Sequence, residues 1–430
     1  MSTRRLVLQN SALNFVAGVS QRFGQTIIFI LIARLLTAED TGAYKLANTY
    51  TSILLTLSLW GLDQLLIREV SKKRSVLNRH LSNFLVLRVQ LAILVWVGMA
   101  LLLPLLPYTP ASRQLILIMT ATIIPASLSN LYQAVWVSFE DMKAFSAIIL
   151  FYSIVKLLGG IAVLWRGASL NFIAYLFLLV SFAELFTNMW LTHRHPDMRD
   201  FSWHMDFRFW RENLMTATPL TIVSFILIVE YQFDDVILSL FRPVDEVGVY
   251  GTAATILTMM LFLTRSFQLA IFPVISRAYN TSQSQLQSVY SQSMKFLLLL
   301  SFPLTLGISL LATPIITTIF GNDYADAGPI LSIIIWAFFI SAVNVPNSRL
   351  LIVANRQRIM AVFALLSMSG NILISLLLVP RYGGLGTAWA RVLAMPLYTV
   401  PALIYVQTQL CPLKWHEFWR LDLREIFGRG

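Results

Sequence analysis

Cysteine is almost absent from this chain of 430 residues, and charged residues are few. The one cysteine, Cys411, excludes an intrachain disulfide and any metal site built from several thiolates. Charged residues make up 12% of the chain, about half the share found in soluble globular proteins. Because a soluble domain cannot bury so much apolar surface, the composition excludes a soluble enzyme and a disordered chain.

Sequence motifs for nucleotide, zinc and serine chemistry are also missing. The chain contains no P-loop, no H-E-x-x-H and no nucleophile elbow. We therefore expect that the protein is not an enzyme and holds no metal or cofactor, and no residue is assigned a catalytic role.

Long hydrophobic runs dominate what the sequence does contain, since 57% of the residues are hydrophobic. A helix of about 20 apolar residues crosses a bilayer. The pattern predicts an all-α polytopic membrane protein with about twelve spans, at residues 11–36, 43–67, 84–106, 114–138, 144–165, 170–192, 214–240, 247–275, 293–319, 329–353, 359–379 and 385–409.

Lysine and arginine are unevenly divided between the two sets of loops. The loops on the side opposite the N-terminus carry only Arg113, Arg166, Arg242 and Arg381. The other set includes the strongly basic run "SKKRSVLNRH" at 71–80. The positive-inside rule then predicts that both termini are cytoplasmic. Since topology explains the basic loops, we expect no nucleic-acid partner, and the layout suits a bacterial inner membrane.

Two short motifs occur once in each half of the chain. "LTAEDTGAYKLA" (36–47) is similar to "PVDEVGVYGTAA" (243–254), and "RGASL" (166–170) is similar to "RYGGL" (381–385). Both halves would then contain six spans in the same order, which predicts parallel repeats. Such repeats are typical of transporters with a binding site between the halves.

This repeat predicts four parts along the chain. The joining run "FSWHMDFRFWREN" alternates aromatic with basic residues, so we expect an amphipathic helix on the cytoplasmic surface. The C-terminal tail has a similar composition, and we expect the same of it. The predicted parts are an N-terminal six-helix lobe (1–195), an amphipathic linker (196–213), a C-terminal six-helix lobe (214–410) and a cytoplasmic tail (411–430).

Four stretches resemble one family of membrane transporters. They are "ARLLTAEDTGAY" (33–44), the run from Asp235 to Ala253, "IFGNDYADAGPILSI" (319–333) and "LVPRYGGLGTAWARVL" (378–393). In order and spacing they resemble the polysaccharide-biosynthesis exporters, which include the Wzx-type O-antigen flippases of the multidrug/oligosaccharidyl-lipid/polysaccharide exporter superfamily. The resemblance covers the whole chain.

This resemblance implies a fold and an activity. The fold would be two six-helix lobes around a central cavity. The activity would move a polyprenyl-pyrophosphate-linked oligosaccharide from the cytoplasmic to the outer leaflet by alternating access. The implied partners are that lipid-linked glycan, membrane lipids, H⁺ or Na⁺ as a coupling ion, and a polysaccharide polymerase machinery.

Several cationic residues fall within the predicted spans. A charge deep in a bilayer costs at least ~2.5–3.5 kcal/mol, so it normally faces a cavity or a partner. We predict that Arg22 and Arg265, together with Lys45, bind the pyrophosphate, because guanidinium groups match phosphate oxygens. The alternative is structural pairing with acids inside the protein. Arg34, Arg88, Lys295 and Arg349 lie near span ends, where we expect long side chains to reach water.

Acidic residues also occur inside the spans. Glu230 and Asp234 are four residues apart and share one helix face. We predict that they, with Glu184 and Lys156, serve either in coupling to an ion or in charge pairing. Asp235 points elsewhere and lies close to the outer end of span seven, where we expect it to be a structural part of the turn architecture.

Two other functions remain open. A multidrug or metabolite cation antiporter of the same superfamily would share the fold, but it would not need deep cations. A membrane polysaccharide polymerase is less favoured, because no loop opposite the N-terminus exceeds about ten residues or contains histidine.

Overall fold

The computed structural model describes residues 3–198 and 201–413, with side chains from residue 18 onward except that of Asp197. Within these ranges the chain forms α-helices and short turns, without a β-strand. The contacts divide it into two compact units, one ending at Leu240 and the other beginning at Phe241.

The described part of the first unit contains nine α-helices. In chain order they are α1 (Thr3–Leu35), α2 (Ala38–Leu59), α3 (Leu62–Lys72), α4 (Leu77–Leu102), α5 (Pro110–Ala121), α6 (Ile123–Ser138), α7 (Met142–Trp165), α8 (Leu170–Arg194) and α9 (Phe207–Phe241), of which α9 ends one residue past the unit.

The described part of the second unit contains seven helices. They are α10 (Val244–Thr281), α11 (Gln283–Leu310), α12 (Ala312–Phe320), α13 (Ala327–Ile334), α14 (Trp336–Val353), α15 (Gln357–Ala394) and α16 (Pro396–Tyr405), and one π-helical turn, Val406–Leu410, follows α16.

The prediction of an all-α polytopic membrane protein is confirmed. Among the described residues, nine helices are long and apolar enough to cross a membrane, or ten if the bent pair α2 and α3 forms one span. One of these elements, Gln357–Leu410, contains both of the last two predicted spans. Each remaining predicted span coincides with a helix or with two consecutive helices.

Breaks within spans are the main local departure from the predicted pattern. Between α2 and α3 the axis turns by 42°, where Trp60 and Gly61 adopt positive φ angles of 42° and 62°. This left-handed conformation interrupts the helical hydrogen bonds, and it is rare for residues other than glycine. The predicted span 43–67 is therefore two helices at an angle.

The first repeated motif marks the start of a helix in both units. Thr37 caps α2, since its Oγ1 accepts a hydrogen bond from the backbone N–H of Asp40 at 3.1 Å. Asp245 and Glu246 lie in the first turn of α10. Carboxylates at these positions favour the helix because they compensate the partial positive charge of its N-terminus. The acids of this motif thus have a structural explanation.

In the second unit the two predicted repeat motifs contact each other. The Oε1 atom of Glu246 accepts a hydrogen bond from the backbone N–H of Gly384 at 2.8 Å. Gly383 adopts φ 53° and ψ −128° and kinks α15. A Cβ atom at that position would collide with the Glu246 carboxylate. Glycine is therefore required at residue 383 by both its dihedral angles and the close approach of Glu246.

Only the second half of the amphipathic linker helix predicted over 201–213 is helical. Residues 201–206 are not helical, and residues 207–213 are the first turns of α9. Asp206 caps α9, because its Oδ1 accepts hydrogen bonds from the N–H groups of Arg208 and Phe209. The indole of Trp210 donates to Asn83 on α4 at 2.8 Å. This segment therefore packs on the first unit instead of forming an independent surface helix.

The predicted boundary between the two lobes differs from the boundary between the two compact units. The prediction assigns span seven to the C-terminal lobe from residue 214, whereas the contacts assign α9 up to Leu240 to the first unit. The predicted tail helix lies beyond residue 413, outside the described residues.

Candidate functional site

A buried ion pair joins α2 to α9 within the first unit. The Nζ atom of Lys45 lies 3.2 Å from Oδ2 of Asp235, and the two side chains are 24% and 6% exposed. The hydroxyl of Thr49 donates to the same carboxylate oxygen at 2.8 Å. Lys45 and Thr49 are one helical turn apart and so share one face of α2. The carboxylate thus receives a positive charge and a hydrogen bond from a single helix.

This contact bears on the interpretation of both partners. Asp235, which we expected to have a structural role near the end of span seven, is buried inside α9 and pairs with Lys45. Lys45, which we predicted to bind pyrophosphate, is already close to a carboxylate. An anionic ligand would therefore compete with Asp235 for the ammonium group.

A chain of hydroxyl groups extends this network by one turn of α9. The phenol oxygens of Tyr50 and Tyr108 are 2.7 Å apart, and Tyr108 lies 2.7 Å from Oγ of Ser239. All three side chains are buried. Because buried polar groups need partners, this chain holds the end of α9 to α2 and to the turn before α5.

The predicted coupling acids of α9 occupy different environments. Asp234 is buried and Glu230, one turn earlier, is half-buried. Asp234 and Asp235 are consecutive, so their side chains leave the helix about 100° apart. This part of α9 therefore carries three carboxylates, of which Asp235 pairs with Lys45.

Lys156 and Glu184 form a second ion pair, between α7 and α8. Nζ of Lys156 lies 3.2 Å from Oε2 of Glu184. The amide of Gln133, on α6, donates to the other carboxylate oxygen at 3.2 Å. The structure thus brings together two of the four residues that we assigned to coupling or charge pairing, and it adds Gln133, which the sequence did not indicate.

The two predicted pyrophosphate arginines lie in separate units. Arg22 is exposed on α1 and forms no hydrogen bond or ion pair with any described residue. Arg265 is exposed on α10. Their guanidinium groups are therefore at least partly accessible in helices that are otherwise apolar.

Arg88 departs most clearly from the expectation that the cations near span ends reach water. It is fully buried, with one nitrogen bonded to Asp63 and another donating to the Ser127 carbonyl at 3.2 Å. Asp63 follows the break between α2 and α3. The sequence did contain a signal for this pair. Asp63 follows Trp60 and Gly61, and Arg88 lies inside the next apolar run. The prediction did not use this signal.

Arg349 also differs from the expectation. Its Nη2 atom donates to Oε1 of Gln268, on α10, at 2.7 Å. The guanidinium carbon lies 5.9 Å from the ring centroid of Phe272. Its Nε atom is buried and has no partner among the described residues. Arg349 therefore packs against α10 instead of extending past the end of its own helix.

Comparison with known proteins identifies the family. A family model described as polysaccharide biosynthesis protein matches residues 7–279, which is more than half of the chain. The chain belongs to the polysaccharide biosynthesis protein family. A second model, described as MatE, matches residues 219–377. The resemblance inferred from the sequence is thereby confirmed.

One curated relative of this polysaccharide biosynthesis protein is the probable low-salt glycan biosynthesis flippase Agl15 of Haloferax volcanii. It is 27% identical over 190 residues, which cover 44% of this chain and 40% of the relative. The matched region therefore spans less than half of the relative's length.

Solved structures confirm the fold of this polysaccharide biosynthesis protein. A lipid II flippase, MurJ, in an inward closed conformation is similar at a TM-score of 0.76 with 16% identity, over 98% of this chain and 91% of that one. An inward-facing multidrug resistance MATE transporter of the MOP superfamily has a TM-score of 0.70 with 13% identity, over 90% and 94% of the two chains. The fold is that of the MOP superfamily.

Proposed function

We propose that this protein is a flippase for a polyprenyl-pyrophosphate-linked oligosaccharide. It moves the lipid from the cytoplasmic to the outer leaflet of a bacterial inner membrane by alternating access, for the synthesis of O-antigen, capsule or exopolysaccharide. The family match and the relative named as a probable glycan biosynthesis flippase support this proposal. The positive-inside rule supports cytoplasmic termini.

The observation that carries the proposal is the exposed arginine in an apolar helix of each unit. Arg22 has no partner among the described residues, and Arg265 is exposed on α10. A guanidinium group at membrane depth is unfavourable unless an anion or water compensates it. A diphosphate supplies that compensation for Arg22, because its oxygens accept paired hydrogen bonds from the planar fork of arginine. In this proposal Arg22 and Arg265 bind the pyrophosphate.

Lys45 contributes to the same site through an exchange of partners. In the proposed cycle the pyrophosphate draws Lys45 away from Asp235, and the released carboxylate takes up H⁺ or Na⁺. Glu230 and Asp234, on the same helix, are the other candidates for ion coupling. Lys156 and Glu184 have the geometry of a charge pair, with Gln133 completing it, so we assign them a structural role.

The protein acts by transport, without covalent chemistry, in this proposal. Its partners are the lipid-linked glycan, membrane lipids and a polymerase that uses the flipped glycan.

A cation antiporter is the second candidate, and the MatE match over residues 219–377 favours it. The two functions make opposite demands on charge. An antiporter for cations needs accessible carboxylates, whereas a carrier for diphosphates needs accessible cations. Arg22 and Arg265 are exposed and Asp235 is paired with Lys45, so the charges favour the anionic substrate.

Flipping of a fluorescent polyprenyl-pyrophosphate oligosaccharide in proteoliposomes tests the proposal. We expect the wild type to flip the lipid and both Arg22→Ala and Arg265→Ala to lose at least about tenfold in rate, equivalent to ~1.4 kcal/mol. Arg356→Ala is the matched control, because Arg356 is exposed in the turn before α15. Export of cationic dyes by a wild type that flips no glycolipid would establish the antiporter instead.

A further inference from the structure

The segment between α8 and α9 is held against α4, although its residues 201–206 are not helical. The backbone N–H of Ser202 donates to Oδ1 of Asn78 at 3.1 Å, and the Asn78 amide donates to Oγ of Ser202, also at 3.1 Å. The backbone N–H of Asp206 donates to Oδ1 of Asn83 at 2.8 Å. Both ends of this stretch are therefore fixed on one helix.

Three large apolar side chains of the fixed stretch remain uncovered. Trp203, Met205 and Phe207 are 62%, 65% and 75% exposed. Phe201 shows the contrasting case, since it packs against the core of the first unit. Neighbouring exposed apolar side chains are typical of a surface that a membrane or a partner covers. No other described residue covers these three.

Exposed arginines flank the three apolar side chains. Arg208 and Arg211 follow in the first turns of α9. Arg194 comes before them, at the end of α8, and its guanidinium carbon lies 4.0 Å from the ring centroid of Trp190. Arg208 pairs with Glu212 in an exposed contact, whereas Arg194 and Arg211 form no ion pair with another described residue. The stretch therefore combines apolar side chains with positive charge.

Ring contacts connect the end of α8 to this stretch. The ring of His193, the residue before Arg194, lies 4.9 Å from that of Phe201, measured between centroids. The ring of Phe201 lies 5.4 Å from that of Trp203. The arginines and the apolar side chains thus belong to one surface, which we call the linker surface and define as Arg194, Trp203, Met205, Phe207, Arg208 and Arg211.

An anionic phospholipid matches the chemistry of the linker surface. The helices on either side, Leu170–Arg194 and Phe207–Phe241, are long and apolar enough to cross a membrane, so the segment between them lies at a membrane face. Aromatic side chains at that level contact the boundary between headgroups and acyl chains, and nearby arginines attract anionic lipids. A zwitterionic headgroup has no net charge to offer to Arg194 or Arg211.

We propose that the linker surface binds anionic phospholipid, with its arginines on the headgroup and its apolar side chains on the acyl chains. The positive-inside rule assigns this surface to the cytoplasmic leaflet. The site holds the segment between α8 and α9 to the membrane. It requires no transport, so the inference goes beyond the proposed function and is testable without it.

Trp203 itself reports the contact in the full-length protein, reconstituted into phosphatidylcholine vesicles. Its fluorescence is the difference between the wild type and Trp203→Phe, and lipids with brominated acyl chains quench a tryptophan that they touch. The vesicles contain increasing amounts of brominated phosphatidylglycerol or of brominated phosphatidylcholine. We expect equal quenching to need at least about tenfold less of the phosphatidylglycerol, because each surface arginine contributes about fivefold.

Charge variants separate headgroup selection from apolar anchoring. Arg211→Gln should reduce the preference for phosphatidylglycerol about fivefold, and the double variant with Arg194→Gln should quench equally with both lipids. Arg211→Lys should retain the preference, because it retains the charge. Arg356→Gln is the matched control, since Arg356 is exposed but lies in the second unit, and it should behave as the wild type does.

Three outcomes would overturn the proposal. Equal quenching of the wild type by both lipids identifies an interfacial anchor that does not select the headgroup. The absence of quenching by either lipid shows that the occupant is something other than lipid, such as a partner protein or a second copy of this chain. Loss of the phosphatidylglycerol preference on addition of farnesyl diphosphate assigns the arginines to the diphosphate of the transported lipid.

The flipping assay separates this inference from the proposed function. A wild type that prefers phosphatidylglycerol at Trp203 but moves no glycolipid retains the phospholipid site and loses the flippase function. A wild type that flips the glycolipid but shows no preference at Trp203 retains the function and loses the site.

Discussion

Lys45 and Asp235 are 190 positions apart in the chain, yet Nζ and Oδ2 of the two side chains lie 3.2 Å apart. The pair connects α2, which contains most of the first repeated motif, to α9, which also carries Glu230 and Asp234. Thr49 contributes a hydroxyl to the same oxygen. Because Asp235 is buried, removal of Lys45 would leave its charge inside the protein without a compensating cation.

The first prediction concerns the loss of one partner of this pair. Lys45→Met leaves the Asp235 carboxylate buried with only a hydroxyl for support. Removal of one member of a buried pair typically lowers the free energy of unfolding by about 3–5 kcal/mol. Because Lys45 is partly exposed, we expect about 2–3 kcal/mol. Unfolding of the purified protein in detergent measures this change.

The double variant supplies the control for this prediction. Lys45→Met with Asp235→Asn removes both charges, so we expect it to be more stable than Lys45→Met alone. If the double variant loses as much free energy of unfolding as the two single variants do together, the two residues do not interact.

The second prediction concerns the kink of α15. Gly383→Ala adds a Cβ atom where the Glu246 carboxylate lies, at a positive φ that alanine rarely adopts. Backbone strain alone costs about 1–3 kcal/mol, and displacement of Glu246 also removes its hydrogen bond to Gly384. We expect a clear fall in the unfolding temperature in detergent.

A second helical glycine serves as the matched control. Gly307 lies within α11, and a Cβ atom there meets nothing within 4 Å. Gly307→Ala should leave the unfolding temperature unchanged or raise it, because alanine favours the helix. Equal stability of the two variants would contradict the assigned role of Gly383.

The sequence was sufficient for features that depend on composition and local chemistry. Hydrophobic runs located the spans because each run must match the thickness of a bilayer. The repeated acidic motif was predicted only as a repeat, and the structure places its carboxylates in the first turns of α2 and α10, where they favour the helix N-terminus.

Features that depend on tertiary packing were not predictable from the sequence. No local pattern connects Lys45 to Asp235 or Arg349 to Gln268, because each pair meets only after distant helices pack together. The predicted linker helix begins later than expected for a related reason. Its aromatic and basic residues fit a surface helix, but Asn83 and Arg79 on α4 offered partners to Trp210 and Asp206, and α9 extends to meet them.

The third prediction concerns pH and Asp206, which lies before the first residue of α9. The N–H of Phe209 lowers the pKa of this carboxyl below its usual value of 3.8, and Arg79 lowers it further. A carboxyl whose pKa is lower in the folded state stabilises the fold above its unfolded pKa, and this stabilisation disappears as the pH falls through the folded value. The contribution should therefore be complete at pH 7, and it should be lost as the pH falls through the lowered pKa of the folded state.

Asp206→Asn isolates the charge, because asparagine caps a helix about as well as aspartate. We expect the variant to unfold at a lower temperature than the wild type at pH 7. The difference between the two proteins should shrink as the pH falls below 3.8, because Asp206 then becomes protonated first in the unfolded and later in the folded state. A difference that stays constant across this range would exclude titration of Asp206 as the cause.

The fourth prediction concerns ion coupling by α9. A gradient of H⁺ or Na⁺ accelerates flipping only through a group whose occupancy by the ion differs between the two conformations. Glu230 is half-buried and lies one turn before the buried Asp234. We expect Glu230→Gln to remove the acceleration by the gradient while the rate without a gradient stays within about twofold of the wild type.

The control for coupling lies on the same helix. Glu212 is exposed near the start of α9, and its partner Arg208 is exposed as well, so Glu212→Gln should retain the full response to the gradient. Asp234→Asn should behave as Glu230→Gln does if the two acids act as one site, since they share a helix face. If Glu230→Gln responds to the gradient as the wild type does, the coupling group is another carboxylate, and Asp235 becomes the leading candidate because its partner Lys45 is proposed to bind the pyrophosphate.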